Sequence, residues 1–523
     1  MRHFDLIVIG TGSAGSSAAY AAPRTGARVA VVERDRLGGE CPHYACIPTK
    51  AMLRCARVYR MVKRAGEFGV RVADVGFDWS VVAARRDRMV NLVTGEERRY
   101  AMAFEQAGIA VLRGTARFVA EYTLDVDGER LAARRFVIAA GSLPAVPDIP
   151  GLRETGFLTN LEASRATTLP ASVAIIGGGP VGVEFAQIYA GFEVPVVLIE
   201  QEPQPLPRED PEIAVLLRQF LEDAGVRVLT GAQVLRTDRE DGRRRLHVRV
   251  GERVEVVEAA EILVAVGRRP AVDELELSRP GVQVDPRGVV TDPSLRTNLP
   301  HIWAAGDAVG RLRFTHVAAY EGHLAGMNAT AETATVEDLR VVPRVTFTDP
   351  EVASVGLTEA EAARDHAVSI RRYSFDALAR AHLEGEARGI VKIVADAENG
   401  ALLGGHIIGP HAGELIHEIA VAMENGIGAD GLAGTIHAFP TLAEAVGAAH
   451  EARRQGLAGQ AQTGIPSNVV VNMPSLTWRE GTERSGQPFP GGDDQRTVPE
   501  SQTQYAMRYR PAPRRKRALA RWT

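Results

Sequence analysis

Residues 6–15 read Leu6-Ile7-Val8-Ile9-Gly10-Thr11-Gly12-Ser13-Ala14-Gly15. Four aliphatic residues in a row describe a strand buried on both faces, as parallel sheets require. The spacing G-x-G-x-x-G follows at once, and an alanine-rich helix is expected over Ser16 to Ala22. Arg28-Val29-Ala30-Val31-Val32 is the second strand, and it ends at Glu33. Strand, glycine turn, helix, strand and terminal acid make up the dinucleotide fingerprint. Its glycines let the turn close and let a pyrophosphate reach the helix N-terminus, and its acid receives the ribose hydroxyls. Gly10, Gly12, Ser13, Ala14, Gly15 and Glu33 are the candidate contacts.

The same pattern returns. Val173-Ala174-Ile175-Ile176 is a strand, Gly177-Gly178-Gly179-Pro180-Val181-Gly182 the turn, and Val183 to Ala190 the helix. Val194 to Ile199 is the next strand and Glu200 its terminal acid. Glu33 lies 18 residues after Gly15, and Glu200 lies 18 after Gly182. An internal repeat of this size governs the fold. The expectation is an α/β protein with two Rossmann-like, three-layer nucleotide-binding domains. Gly177, Gly179, Gly182 and Glu200 are the contacts of the second. Glu200 accepts from a ribose 2′-hydroxyl and repels a 2′-phosphate, and the first following arginine is Arg208, so NADH is favoured over NADPH.

Between the repeats stands Gly38-Gly39-Glu40-Cys41-Pro42-His43-Tyr44-Ala45-Cys46-Ile47-Pro48-Thr49-Lys50. Pro48 suits the first turn of a helix. That places Cys46 at or just before a helix N-terminus, where free N–H groups and the helix dipole stabilise a thiolate. Lys50, one turn on, adds positive charge. A redox-active dithiol is one reading; two structural thiols or half a metal site are the others. A zinc site needs about four clustered ligands, and the chain has only one more cysteine, Cys55, so no metal centre is assigned. Cys55 reads as a small buried hydrophobe.

Phe136 to Ser142 is a buried strand with a glycine turn at Gly141, and Ile262 to Pro270 is another, turning at Gly267. Ala51 to Ala65 and Trp79 to Gly108 have helical spacing. Ile302 to Asp307 is a strand ending in Gly306-Asp307, where the acid takes a ribityl hydroxyl or caps the next helix. Glu184 falls just inside the second nucleotide helix, where an acid is an ordinary dipole partner. Val341-Val342-Pro343 opens a region of different texture, with no glycine-rich loop. The expected organisation is a first nucleotide domain over 1–150, a second over 151–270, a return to the first over 271–339, and an α+β domain over 340–453. The last stretch, 454–523, loses the apolar pattern and ends in Arg508, Arg510, Arg514, Arg515, Lys516, Arg517 and Arg521 without an acid. It is expected to be a solvated, disordered tail.

Hydrophobic content of 45% and charged content of 24% are those of a soluble globular chain. A net charge of −4 gives no argument for nucleic acid or an anionic membrane. The N-terminal apolar run is too short and too soon broken for a signal peptide or a membrane span. A dithiol that must cycle fits a reducing compartment, so a cytoplasmic location is expected.

With its motifs in this order, the chain resembles the pyridine nucleotide–disulfide oxidoreductases, which include dihydrolipoamide dehydrogenase, glutathione reductase and mercuric reductase. The resemblance covers roughly residues 4–453. It is carried by Gly10–Gly15, Cys41–Lys50, Gly177–Gly182, Val266–Pro270, Gly306-Asp307, Asp349–Thr358, Gly409-Pro410 and Gly413–Glu418. It implies FAD on the first unit, NAD(H) on the second, and a C-terminal dimerisation domain making a homodimer. It implies that Cys46 lies against the flavin and that Cys41 exchanges with substrate. Lys50 and Glu184 match the family's ion pair beside the flavin, and Asp307 its ribityl contact. The implied activity is dihydrolipoamide dehydrogenase-like, passing electrons to a small-molecule or small-protein acceptor. Two alternatives stand beside it: a mercuric-reductase-like metal ion or quinone reductase, and a flavin- and NAD-binding redox sensor with little turnover.

One departure bears on the chemistry. Where the family's dithiol enzymes carry a His-Pro dipeptide whose His is the acid/base, this chain reads Ile436-His437-Ala438-Phe439-Pro440-Thr441-Leu442-Ala443-Glu444. Pro440 and Glu444 match, but Phe439 cannot carry a proton. A positioned acid/base is worth about 10²–10⁴ in rate. His437 is expected to point elsewhere, as a surface or packed residue. Mercuric reductases rely on a cysteine pair near the C-terminus, and this tail has none.

Overall fold

Strand β1 (Arg2–Ile9) lies in a parallel sheet between residues 29–33 and 129–138, pairing Leu6 with Val29 and with Arg135. The computed structural model describes residues 1–22 and 26–449, and the C-terminal stretch from 450 onward, including the basic tail, lies outside the described residues. Leu6, Ile7 and Val8 are all fully buried, on alternating faces. Leu6 and Val8 pack with Ala14, Ala18 and Ala325 on the helical side. Ile7 and Ile9 pack with Phe118, Leu124 and Leu131 on the other. Each such buried aliphatic side chain contributes about 2 kcal/mol of apolar burial.

Residues 116–120 and 123–126 continue the same seven-stranded sheet beyond 129–138 as an antiparallel meander, and Phe118 and Leu124 cover that face in place of a second bank of helices. The second unit has the same two parts. Its parallel sheet runs in the order 226–229, 196–199, 173–176, 261–264, and its meander is 232–240, 243–250 and 253–259. Ile302–Ala304 returns to the first sheet and pairs in parallel with Phe136–Ile138. Helix 315–330 then lies on helix α1 (Ser13–Ala21) so closely that a Cβ on Gly322 would meet the Ala14 carbonyl at 2.0 Å. A five-stranded antiparallel sheet, in the order 344–346, 351–356, 402–409, 390–396, 368–374, forms the last region with helix 412–424.

Several local expectations change. The strands expected over 136–142, 262–270 and 302–307 end at Ile138, Val264 and Ala304, and 142–144 and 268–270 pair with each other instead. The helical stretch from Trp79 to Gly108 is two helices, 79–94 and 98–106. Gly95, at φ +58°, ends the first in the left-handed conformation, a common helix stop. Between β2 (Val29–Glu33) and the long helix, a short helix α2 (Glu40–Tyr44) carries Cys41, and α3 (Cys46–Lys63) begins at Cys46 itself. The sequence around Pro42 gave no periodic signal for so short a turn. The strand before Glu200 begins at Val196 rather than Val194, which packs at the preceding turn.

Candidate active site

Both glycine turns, the dithiol and part of the last region open onto one cavity of about 1920 Å³. Of the residues singled out in the sequence, Gly10, Gly12, Ser13, Ala14, Glu33, Cys41, Cys46, Lys50, Gly141, Gly177, Gly179, Glu184, Glu200, Gly267 and Asp307 line it. Gly15 and Gly182 do not. They pack inward, and a Cβ on either would meet the carbonyl of Gly10 or Gly177 at 1.9 Å. Each third glycine thus holds its helix against the turn, in the same way in both units.

The two terminal acids also behave as a pair. Glu33 accepts from the Thr11 N–H at 2.9 Å, the Thr11 hydroxyl at 2.6 Å and the Asp35 N–H at 2.9 Å. Glu200 accepts from the Gly178 N–H at 2.5 Å and the Glu202 N–H at 2.8 Å. Glu200 is only 6% exposed, so it is no ordinary solvent-facing carboxylate. Each acid fixes its glycine turn to the end of the second strand while remaining on the cavity wall.

The cavity fits the cofactors that the sequence implies. Gly12, at the start of α1, has no side chain to cap the helix, so the first-turn N–H groups stay free for an anion. Around Gly179 nothing lies within 4 Å of a built Cβ, so a larger residue would protrude into space a dinucleotide needs. Gly39, at φ +73°, brings the dithiol segment onto this turn, and a Cβ there would strike Gly12 Cα at 2.6 Å.

Cys41 and Cys46 are both free thiols facing the cavity. The bend at Ala45 between α2 and α3 sets Cys41 on one helix and Cys46 at the start of the next. Cys46 is drawn down to about 6, first by the hydrogen bond from Cys41 and then by Lys50 and the Thr315 hydroxyl, against burial and Glu184. Cys41 is pushed up, chiefly because it gives its proton to Cys46 and is partly buried. The anion therefore rests on Cys46. Cys55 is free as well, half-buried, with Arg85 Nη1 4.0 Å from its sulfur.

Lys50 Nζ holds Glu184 through both carboxylate oxygens, at 2.9 and 2.8 Å. Glu184 also accepts the Phe347 N–H at 3.0 Å, and the Phe347 ring lies 4.7 Å from Nζ. Asp307 accepts from the Ser142 hydroxyl at 2.5 Å. Arg268 donates to the Ser142 hydroxyl at 2.7 Å and to its carbonyl at 2.9 Å, and it forks onto Glu40, the residue before Cys41, through both terminal nitrogens. Asn160 adds a donor to Glu40 at 3.0 Å. This polar chain runs from the dithiol helix to Asp307.

Sequence reasoning left Glu40, Ser142, Arg268, Thr315 and Phe347 without roles. Glu40 and Arg268 sit next to assigned residues, Cys41 and Gly267, and that adjacency was a usable signal. Thr315 and Phe347 arrive from far along the chain, and nothing local marks them.

His437 is packed away. Its Nε2 meets Glu418 at 2.7 Å and its Nδ1 the Thr435 carbonyl at 3.0 Å, so both ring nitrogens are engaged. Phe439 is 71% exposed and Ile436 97% exposed, at the tip of a loop held by the Thr441 N–H to Glu444 bond of 2.8 Å. Among the described residues no helix is long and apolar enough to cross a membrane.

Comparison with known proteins agrees with this geometry. The family described as pyridine nucleotide-disulphide oxidoreductase matches residues 4–322, and its dimerisation domain matches 342–450. A mercuric reductase of Bacillus cereus is 33% identical over 443 residues, covering 84% of this chain and 70% of that protein. A dihydrolipoyl dehydrogenase of Thermus scotoductus is 39% identical over 465 residues, covering 86% of this chain and 98% of that protein. The Cu(II) complex of the HOCl-induced flavoprotein disulfide reductase RclA from Escherichia coli superposes with a TM-score of 0.78 at 26% identity, covering 86% of this chain and 99% of that one.

Proposed function

We propose an acceptor and a pyridine nucleotide for a chain that belongs to the pyridine nucleotide–disulfide oxidoreductase family and is an FAD-dependent oxidoreductase using NAD(P)H. The nucleotide is NADH and the acceptor is a thiophilic metal ion, Hg²⁺ or Cu²⁺ in class. The observation that carries this reading is the residue before Pro440, where the family's dithiol enzymes carry their acid/base and this chain has a phenyl ring. Phe439 holds the position, and both nitrogens of His437 are engaged. Soft ions bind thiolates directly. The balance asks for no protonation of a leaving sulfur: NADH and Hg²⁺ give NAD⁺, Hg⁰ and H⁺, or NADH and two Cu²⁺ give NAD⁺, two Cu⁺ and H⁺.

FAD, when bound, supplies hydride acceptance from the nicotinamide and delivery of an electron pair to the Cys41–Cys46 disulfide. The chain does the rest. The first glycine turn with Gly141 and Asp307 holds FAD, and the second turn with Gly267 holds NADH. Glu200, with Glu202 beside it on the cavity wall, disfavours a 2′-phosphate. Lys50 and Glu184 set the charge between the two nucleotides. Cys46 holds the anion, and Cys41 meets the acceptor. Residues 1–150 and 271–339 form the FAD unit, 151–270 the NAD(H) unit and 340–453 the interface of a homodimer, whose exposed Ile436 and Phe439 suit burial by a second copy. The location is cytoplasmic.

Dihydrolipoamide is the second reading, favoured by the retained Pro440–Glu444 turn and the dehydrogenase relatives. The deciding experiment is anaerobic titration of the yellow holoenzyme with NADH and with NADPH, followed by steady-state turnover on Hg²⁺, Cu²⁺, lipoamide, a quinone and dioxygen. Turnover on the metal ions that exceeds lipoamide by tenfold or more supports the proposal. Faster turnover on lipoamide replaces it with the second reading. Negligible turnover on every acceptor, with the flavin still reduced by NADH, makes the protein a sensor.

A further inference from the structure

Thr315 is the first residue of helix 315–330, more than 260 residues away from the dithiol in sequence, yet its hydroxyl reaches both sulfurs. Its Oγ1 is 3.2 Å from Cys41 Sγ, to which it donates, and 3.7 Å from Cys46 Sγ. The cap position before it is Phe314, which offers no side-chain acceptor, so the free first-turn N–H groups keep the helix end positive toward the sulfurs.

We infer that Thr315 is the positioning residue of the dithiol: its hydroxyl donates to Cys41 and so supports the negative charge there when it passes from Cys46 to Cys41. The inference deepens the reading above, since an acceptor at Cys41 needs a thiolate there while the resting anion sits on Cys46. The exchange is balanced. Cys41–SH with Cys46–S⁻ becomes Cys41–S⁻ with Cys46–SH; one proton moves between sulfurs and nothing is oxidised or reduced.

Other groups facing the pair do not do this. Lys50, one turn along α3 from Cys46, is held by Glu184 of helix 180–191. The Tyr100 hydroxyl of helix 98–106 is pushed up, first by burial and then by Cys41, so it keeps its proton and is a poor proton donor. His316, the next residue, has its Nε2 at the Pro343 carbonyl, 2.9 Å away, and burial lowers it, with His417 adding to the effect. The Thr315 hydroxyl lowers both thiols, as the Lys50 charge does.

The test is alkylation of holoenzyme reduced anaerobically with dithionite, which bypasses NADH and the acceptor. Its outcome therefore stands apart from the identity of the acceptor. Iodoacetamide is added from pH 5 to 9, and the labelled cysteine is identified by peptide mass spectrometry, with Cys55 as internal reference. For Thr315→Val we expect Cys41 labelling at pH 7 to slow about five- to tenfold, the value of one lost hydrogen bond. Its pH midpoint rises, and Cys55 is unchanged. Thr315→Ser restores the wild-type rate within about twofold. A Val variant that labels like wild type, or a Ser variant as slow as Val, overturns the proposal. Thr315→Ala guards against a packing fault. If both Val and Ala lose FAD, the hydroxyl serves cofactor binding and the proposal fails.

Discussion

Glu184 binds the Lys50 ammonium through both of its oxygens, at 2.8 and 2.9 Å, across 134 residues of chain, and it is itself nearly buried. The pair ties the dithiol helix α3 to the second nucleotide helix, 180–191. Residue 347 of the last region caps it with a backbone N–H and an aromatic ring. Three regions therefore meet at one charge pair on the cavity wall.

Removing one member leaves the other uncompensated. Charge-assisted hydrogen bonds are worth about 1.5–3 kcal/mol, or roughly 10- to 100-fold. Glu184→Gln is expected to slow reduction of the flavin by NADH by that factor in stopped flow, with FAD content unchanged. An unaltered rate would mean that the pair is a strut between helices and has no part in hydride transfer.

Cys46 is held at about 6, first by Cys41 and then by Lys50 and Thr315. A thiol lowered in this way carries its anion above that value and loses it as the pH falls through it. The long-wavelength thiolate–flavin absorbance of the two-electron-reduced enzyme is expected to fade with a midpoint near pH 6. Lys50→Met moves the midpoint upward, because a favourable cation is gone. Cys46→Ser abolishes the band and leaves FAD bound. A band that survives in that variant would assign the flavin-facing sulfur to Cys41.

What could be read from the sequence, and what could not, follows from the range of each interaction. Strand, turn, helix and acid are local, so the strands before Gly10 and Gly177 and their glycine turns could be read directly, down to the 18-residue spacing of Glu33 and Glu200. The family's motifs supplied Lys50 with Glu184, which no periodicity links. Glu40 with Arg268, Thr315 with Cys41, and Phe347 with Glu184 are contacts between distant segments in which no residue type announces its partner. The two-helix bend at Ala45 was hidden for another reason. A five-residue helix containing Pro42 is too short to show a period, and it is held by packing against α3 and helix 79–94.

Phe439→His restores an imidazole at the tip of the loop that Thr441 and Glu444 already brace. Dihydrolipoamide oxidation is expected to rise by about 10²-fold, the low end of general-base catalysis. NADH-dependent reduction of Hg²⁺ or Cu²⁺, which needs no proton at sulfur, changes far less. Equal gains on both acceptors would show that the ring was blocking the cleft. No gain on either would show that the backbone of this loop, and not just its side chain, differs from the dithiol enzymes.

Glu321 gives a pH-dependent stability with a sign that can be worked out. It is 1% exposed, accepts the Gly306 N–H at 2.7 Å with one oxygen, and has no partner for the other among the described residues. Burial pushes its carboxyl up to about 7; the Gly306 bond and Arg311 oppose this, while Glu337 and Asp307 add to it. The folded state therefore keeps a proton that the unfolded chain gives up near the usual carboxylate value. Stability contributed by this group is full below that value and is lost as the pH rises toward 7. The loss is at most ~3 kcal/mol, from 1.36 kcal/mol per pH unit of displacement. Glu321→Gln keeps a carbonyl oxygen for Gly306 and cannot ionise. Its melting temperature relative to wild type is expected to be lower or equal at pH 5 and to climb above it by pH 8. Parallel melting curves for the two proteins across that range would mean that Glu321 is already ionised in the fold, with water satisfying its second oxygen.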